Sequence, residues 1–359
     1  MIPESVIACQ AHKDLALQMA RESMTLLMNK NNILPLSKTG HKIMVMGPNA
    51  DNATMQWGNY NGTPTNTVTI LDGIKNKTSN VTYTMGCEHC INTATESRFN
   101  EILSTNGKKG FTATYWNNLK MEGEPATTQQ VSEPFNFDIG GNTVFASGVS
   151  LNNFTAKYKG TFIPTKNENV SFNITGDDGY IVVVNNDTII KSWGNRLTTK
   201  EADLKVETGK KYDIEIDYKQ TEGDATLKFD LVHIKNQTAE ESAHLAKDAD
   251  VVIFVGGLSP RLEGEEMHVN IPGFKDGDRT DIQLPKAQRD VITALHRLGK
   301  KIIFVNCSGS AVALGPEVAN CDAILQAWYP GEQGGTAVAD VLFGDYNPQG
   351  KLPITFYKD

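Results

Sequence analysis

The feature that most constrains this chain is a double change of hydrophobic period. Over residues 13–105 short apolar runs alternate with helical patterns, and the same texture returns over residues 236–359. Between them, residues 106–235 show short alternating segments set off by Gly, Asn and Asp, with little helical period. The run Lys42-Ile-Met-Val-Met-Gly47 stops at Pro48-Asn-Ala-Asp51, the pattern of a parallel strand covered on both faces and ended by turn residues. Residues 81–85, 251–255, 301–306 and 323–327 read the same way, and the spacing predicts helices over 15–28, 68–75, 239–246, 286–298, 315–318 and 334–343. Neither outer segment alone makes a full sheet with both faces covered, so the two are expected to join in space. The expected class is α/β, a mostly parallel sheet with helices on both faces, interrupted by an inserted all-β sandwich domain.

Composition narrows the partners. The chain has 359 residues, 39% apolar and 21% charged, an ordinary globular balance that excludes wholesale disorder. A net charge of −8 with scattered lysines offers no footprint for a phosphate backbone, so no nucleic-acid partner is expected. Nothing approaches the ~18 consecutive apolar residues of a membrane span, and residues 1–12 are not a basic-then-apolar signal peptide. Five dispersed cysteines make no disulfide framework, and Cys87-Glu-His-Cys90 is a lone pair where a structural zinc site needs four ligands.

In open parallel sheets ligands gather beyond the carboxyl ends of the strands. The loops to examine are therefore 47–62, 256–279, 307–312 and 328–335. The second is the longest and holds Glu263-Gly-Glu-Glu266, three carboxylates in four residues. Crowded carboxyls shift upward in pKa, as a general acid requires, although such runs are more often simply solvated. His268 could act as a base, but a lone histidine carries little. Ser308-Gly-Ser310 lacks the flanks of a nucleophile elbow, and Gly47-Pro-Asn49 lacks the glycine spacing and lysine of a phosphate loop. Trp57, Tyr60 and Trp328 put flat amphipathic rings on the same presumed edge, which suits stacking on sugars as well as packing beneath loops.

Several ordered motifs resemble the carboxyl-terminal α/β sandwich domain of glycoside hydrolase family 3. They are Ala20-Arg-Glu-Ser-Met-Thr-Leu-Leu-Met-Asn29, Ile33-Leu-Pro-Leu36, Val45-Met-Gly-Pro-Asn-Ala50 and Gly256-Gly-Leu-Ser-Pro-Arg-Leu-Glu-Gly-Glu-Glu266. Asp281-Ile-Gln-Leu-Pro285, Val305-Asn-Cys-Ser-Gly-Ser310, Gln326-Ala-Trp-Tyr-Pro-Gly331 and Ala339-Asp-Val-Leu-Phe-Gly-Asp345 continue the series. The middle segment resembles a protective-antigen-type module through Phe111-Thr-Ala-Thr-Tyr-Trp116, Gly160-Thr-Phe-Ile-Pro164 and Gly176-Asp-Asp-Gly-Tyr180.

The resemblance implies a retaining, exo-acting β-xylosidase or β-glucosidase, needing no cofactor, with an oligosaccharide as its substrate partner. The family's nucleophile is an aspartate on an amino-terminal barrel of ~250 residues. The nineteen residues before Ala20 leave no room for one, so a barrel in cis or trans is the other expected partner and this chain alone is expected to be inactive. The family's acid/base glutamate lies in the loop matched here by residues 263–266. Register places it at Glu265, with Glu263 as the alternative, and Glu263, Glu266, Trp57, Tyr60 and Trp328 are substrate-binding candidates. Related modules hold calcium through adjacent aspartates, which makes Asp177 and Asp178 weak candidates against a plain tight turn. No metal is therefore assigned. A periplasmic or secreted location follows from the resemblance alone. The rival reading is a stand-alone carbohydrate-binding protein without hydrolytic activity.

Overall fold

The apolar runs become strands of one sheet because all but the edge run at residues 81–83 feed two cores at once. In the computed structural model, which describes residues 3–62, 64, 66–139, 144–264 and 269–358, these are β1 (Thr25–Asn29), β2 (Ile43–Met46), β3 (Val81–Tyr83), β4 (Val251–Gly257), β5 (Lys301–Cys307) and β6 (Ala323–Gln326). Their order is β1-β6-β5-β4-β2-β3; β1 is antiparallel to β6 and the other pairings are parallel. Side chains alternate across a pleat. Thus Ile43, Val45, Val251, Ile253, Val255, Ile303, Val305 and Leu325 enter one core, while Met46, Val252, Phe254, Ile302, Phe304 and Ile324 enter the other.

Helices α1 (Gln10–Ser23), α2 (Ile70–Lys75) and α6 (Gly334–Leu342) supply the first core; α3 (Ala239–His244) and α4 (Lys286–Arg297) supply the second, with α5 (Gly315–Asn320) packed on α4. Thr69 caps α2 by accepting from the Asp72 N–H at 3.1 Å, and Thr238 with Glu241 forms a capping box on α3. On α6, the buried Asp340 is paired by Arg21 from α1 and by Lys77, so its charge is not left alone in the core.

One expectation is corrected. Residues 15–28 were read as a single helix, but α1 ends at Ser23 and Met24 turns extended (ψ 126°) into β1. Leu26 packs toward one core and, across an irregularity in the register with β6, Leu27 and Met28 pack toward the other, so the segment serves both faces of the sheet. The long loop after β4 also has structure of its own: Asn270–Ile271, Phe274–Lys275 and Asp278–Arg279 form a small antiparallel sheet.

Contacts divide the chain into Met1–Ala94 with Asn236–Asp359, and Thr95–Lys235. The first division falls ahead of the expected one at 105/106, because Thr93–Ser97 already pairs with Ala225–Asn236 and Ile102–Ser104 with Phe154–Phe162. In the middle unit, Glu168–Asp177 and Ala225–Asn236 belong to one antiparallel sheet. Gly179–Val184, Tyr212–Gln220, Phe154–Phe162 and Phe111–Trp116 belong to a second. Both contribute to a single core rich in rings, including Phe111, Tyr115, Tyr158, Phe172, Tyr218 and Phe229. Arg98 fastens Glu168 through two hydrogen bonds of 2.5 and 2.9 Å, which holds that carboxyl below its usual range.

Glu317 on α5 is fully buried, and neither carboxylate oxygen has a partner from another residue among those described. Burial pushes its pKa up to about 6 from an ordinary 4.5, with Arg289 opposing. Between these values the folded chain holds a proton that the unfolded chain has released, so Glu317 makes stability fall as pH rises through that window. Glu317→Gln should abolish this component. Its stability relative to the parent should rise by about 2 kcal/mol between pH 4.5 and 7.5, measured by urea denaturation at both pH values.

Candidate active-site edge

The carboxyl ends of β2, β4, β5 and β6 release loops that meet at one edge of the sheet. Two glycines make the exits possible. Gly47 (φ 105°) lies so close to β4 that a Cβ would overlap the Val255 carbonyl, and one at Gly257 (φ 115°) would overlap the Cys307 carbonyl. Past Phe254 β4 has no β2 partner, although it stays paired with β5 as far as Gly257, so peptide groups at its end need further partners. Asn49, fully buried, donates to the Gly256 and Leu258 carbonyls at 3.1 and 3.0 Å. Gln288, also fully buried on α4, accepts from the Gly257 N–H and donates to its carbonyl, both at 2.8 Å. Asn49 has then used both amide protons, so the 2.7 Å contact between its Oδ1 and His89 Nε2 requires the proton on His89 Nε2. Burial lowers the His89 pKa to about 4, leaving the ring neutral in neutral solution.

The acidic loop continues from this mount. The N–H groups of Leu262 and Glu263 both donate to the Ser259 carbonyl, closing a turn. Three donors then converge on the Glu263 carboxylate: the Tyr329 hydroxyl at 2.6 Å and the Gly309 N–H at 3.1 Å to Oε1, and the Ser310 hydroxyl at 2.6 Å to Oε2. Glu263 thus ties the loop after β4 to those after β5 and β6. Arg279 extends the chain of contacts, donating to Ser310 Oγ at 3.2 Å and to the Ala311 carbonyl. Burial raises the Tyr329 pKa and lowers that of Arg279; the nearby Glu263 charge raises both.

Glu265, Glu266 and His268 lie outside the described residues. Trp57 donates its indole N–H to Thr67 Oγ1 at 2.9 Å. Tyr60 is 86% exposed, and its neighbour Asn59 donates to the Pro260 carbonyl at 3.0 Å, joining the first loop to the acidic one. Trp328 is engaged elsewhere, donating to the Ser23 carbonyl at 3.0 Å and meeting Phe356 edge-on. It is Tyr329, not Trp328, that touches Glu263.

Sequence reasoning did not pick out Tyr329, Ser310, Arg279, Asn49 or Gln288. Tyr329, Ser310 and Asn49 stood inside motifs already noted and Arg279 closes the loop 256–279, while Asn49 and Ser310 sit just past strand ends, where unpaired backbone needs polar partners.

Asp178 accepts from the Thr221 N–H at 2.6 Å and from its hydroxyl, a turn-fastening role, while burial and Asp178 raise the Asp177 pKa. Among the described residues no group of three or more His, Cys, Asp or Glu side chains could hold a metal. Burial pushes the Cys87 and Cys90 thiols up to about 12 and about 11, keeping them protonated at neutral pH.

If the Glu263 clasp holds the loop, Tyr329→Phe should lower stability by about 1–2 kcal/mol, as expected for losing a hydrogen bond to a charged group. It should also speed proteolysis within residues 262–270. Urea denaturation and limited proteolysis read the two effects, and an unchanged cleavage rate would count against the clasp.

Residues 24–359 match the model described as the glycosyl hydrolase family 3 C-terminal domain. The chain is 47% identical over 361 residues to the xylan 1,4-beta-xylosidase of Xylanibacter ruminicola, covering 100% of this chain and 42% of that protein. It is 26% identical over 378 residues to a beta-glucosidase of Rhizobium radiobacter, covering 99% and 43%. Among solved structures, the beta-glucosidase of Kluyveromyces marxianus in complex with glucose superposes with a TM-score of 0.58 at 25% identity, covering 95% of this chain and 41% of that one. The chain therefore spans about two fifths of the length of these relatives. With the parallel sheet and the loops at its carboxyl edge, this match places the chain in glycoside hydrolase family 3, through its C-terminal domain.

Proposed function

We propose that this chain is the part of a retaining exo-β-glycosidase that supplies the acid/base residue and part of the sugar pocket, with the nucleophile contributed by a barrel domain in cis or trans. The substrate class is an oligosaccharide ending in β-linked xylose or glucose. Glu265 protonates the departing glycosidic oxygen as the nucleophile attacks the anomeric carbon; it then takes a proton from the water that releases the sugar. Glu266, Trp57 and Tyr60 stand as candidate pocket residues, whereas the Trp328 indole is held by Ser23 and Phe356.

The observation that carries this reading is the fastening of the acidic loop. In a chain of this family, the segment leaving the carboxyl end of β4 is tied down at Glu263, two residues before Glu265. The same clasp favours Glu265 over Glu263 as the acid/base. Both Glu263 oxygens already accept hydrogen bonds from the protein, and a proton donor must instead face the substrate.

In the complete enzyme, Glu265→Gln should reduce kcat/KM by roughly 10²–10⁴-fold for alkyl glycosides or disaccharides and far less for dinitrophenyl glycosides, whose leaving groups need little protonation. Glu263→Gln should show no such selectivity; if it does and Glu265→Gln does not, the two roles are reversed. Taken alone, the 359-residue chain should release no nitrophenol from aryl β-xyloside or β-glucoside. Sustained turnover by the isolated chain would sink the assignment of the nucleophile to a separate domain.

A further inference from the structure

We infer that Asn49 and Gln288 are positioning residues for the acid/base loop: together they hold the end of β4 so that the segment leading to Glu265 departs from a fixed point. The inference rests on the proposed role of Glu265. Its grounds are the four hydrogen bonds by which two fully buried amides take over the carbonyls of Gly256, Gly257 and Leu258 and the N–H of Gly257.

These amides act past the point where β2 stops pairing at Phe254, while β5 still pairs with β4 as far as Gly257, and they come from different elements. Asn49 follows β2, whereas Gln288 lies on α4. They are also joined through one segment: Gln288 Nε2 donates to the His89 carbonyl at 3.0 Å, while the His89 ring meets Asn49. The Leu258 N–H is fixed separately by the Cys307 carbonyl at 2.7 Å. There is no slack for compensation. A Cβ at Gly256 would overlap Gln288 Oε1, and one at Gly257 would overlap Asn306 Oδ1 as well as the Cys307 carbonyl. From here the chain runs through the Ser259 turn to the Glu263 clasp, so the segment from Gly256 to Glu263 is held at both ends. A displaced mount would therefore pull on the Glu263 clasp, two residues before Glu265, and displacement of a proton donor by an ångström can cost up to about 100-fold in rate.

The test uses the complete enzyme carrying Gln288→Leu or, separately, Asn49→Asp. Asn49→Asp keeps an acceptor for His89 but loses both donors to the strand end. Assays run well below each variant's melting temperature, with Glu265→Gln in parallel. We expect kcat/KM for poor leaving groups to fall by roughly 10–100-fold and that for dinitrophenyl glycosides to fall by less than about threefold. The profile should follow that of Glu265→Gln. A merely structural role would lower melting temperature and depress all substrates equally, so uniform loss or no loss in the folded variants overturns the inference. If Gln288→Leu does not fold, Gln288→Glu retains the acceptor for the Gly257 N–H and decides the same question. Should Glu265→Gln itself show no leaving-group selectivity, the acid/base reading fails. Selectivity in Glu265→Gln without it in the mount variants overturns the positioning role alone.

Discussion

The pairing of β2 with β4 is the constraint on which the rest of this unit depends. It places Ile43 opposite Val251 and so joins two segments separated by the whole middle unit. Without it β4, buried along its entire length, would lack one ladder partner, and the two cores would each lose a wall. Such non-local pairing is slow to form, but its entropic cost rises only logarithmically with the length of the intervening chain. The middle unit reduces that cost further. It begins along Thr93–Ser97 and ends along Ala225–Asn236, strands adjacent in one sheet, so its two ends emerge side by side rather than pulling β2 and β4 apart.

The strands were legible in the sequence because burial on both faces leaves a simple signature: four to seven apolar residues stopped by glycine or another turn former. The same signature explains the misread region. Thr25-Leu-Leu-Met28 continues the apolar spacing of α1, and nothing local distinguishes a helix with a broad apolar face from a strand serving two cores. Only β6, almost three hundred residues later, settles it by offering Gln326, Leu325, Ile324 and Ala323 as ladder partners.

At the site edge the balance differs. Carboxylate density after an apolar run singled out the loop in which the structure shows Glu263 clasped, since charges crowd a strand exit only where solvent or a ligand can reach them. The side chains that fasten the loop were not legible, because contacts such as Tyr329 with Glu263 span 66 residues and depend on direction rather than residue type. Trp328 and Tyr329 are neighbours with equal claim in sequence, yet the positive φ of Trp328 (60°) turns its indole toward Ser23 and leaves the phenol facing Glu263.

Buried polarity in this unit is concentrated where strands end. Asn49, Gln288, Asn306, Ser308 and Gln326 are all fully buried, and each makes hydrogen bonds at or just beyond the carboxyl ends of β4, β5 and β6. Apolar side chains there would pack as well but would leave departing peptide groups without partners, a penalty of about 1–3 kcal/mol each. The alternative of solvating those groups would admit water beneath the loops and let them move. Asn49 and Gln288 resolve the conflict by bonding the backbone directly and Gln326 donates to the Ser308 carbonyl, each fixing the direction of the backbone it holds, whereas Asn306 donates to the Ser308 and Gln326 side chains. That directional property bears on proton transfer, because a general acid works only within hydrogen-bond reach of the oxygen it protonates. A loop rooted in satisfied amides keeps a donor within that reach without spending substrate binding energy on ordering the loop in each catalytic cycle.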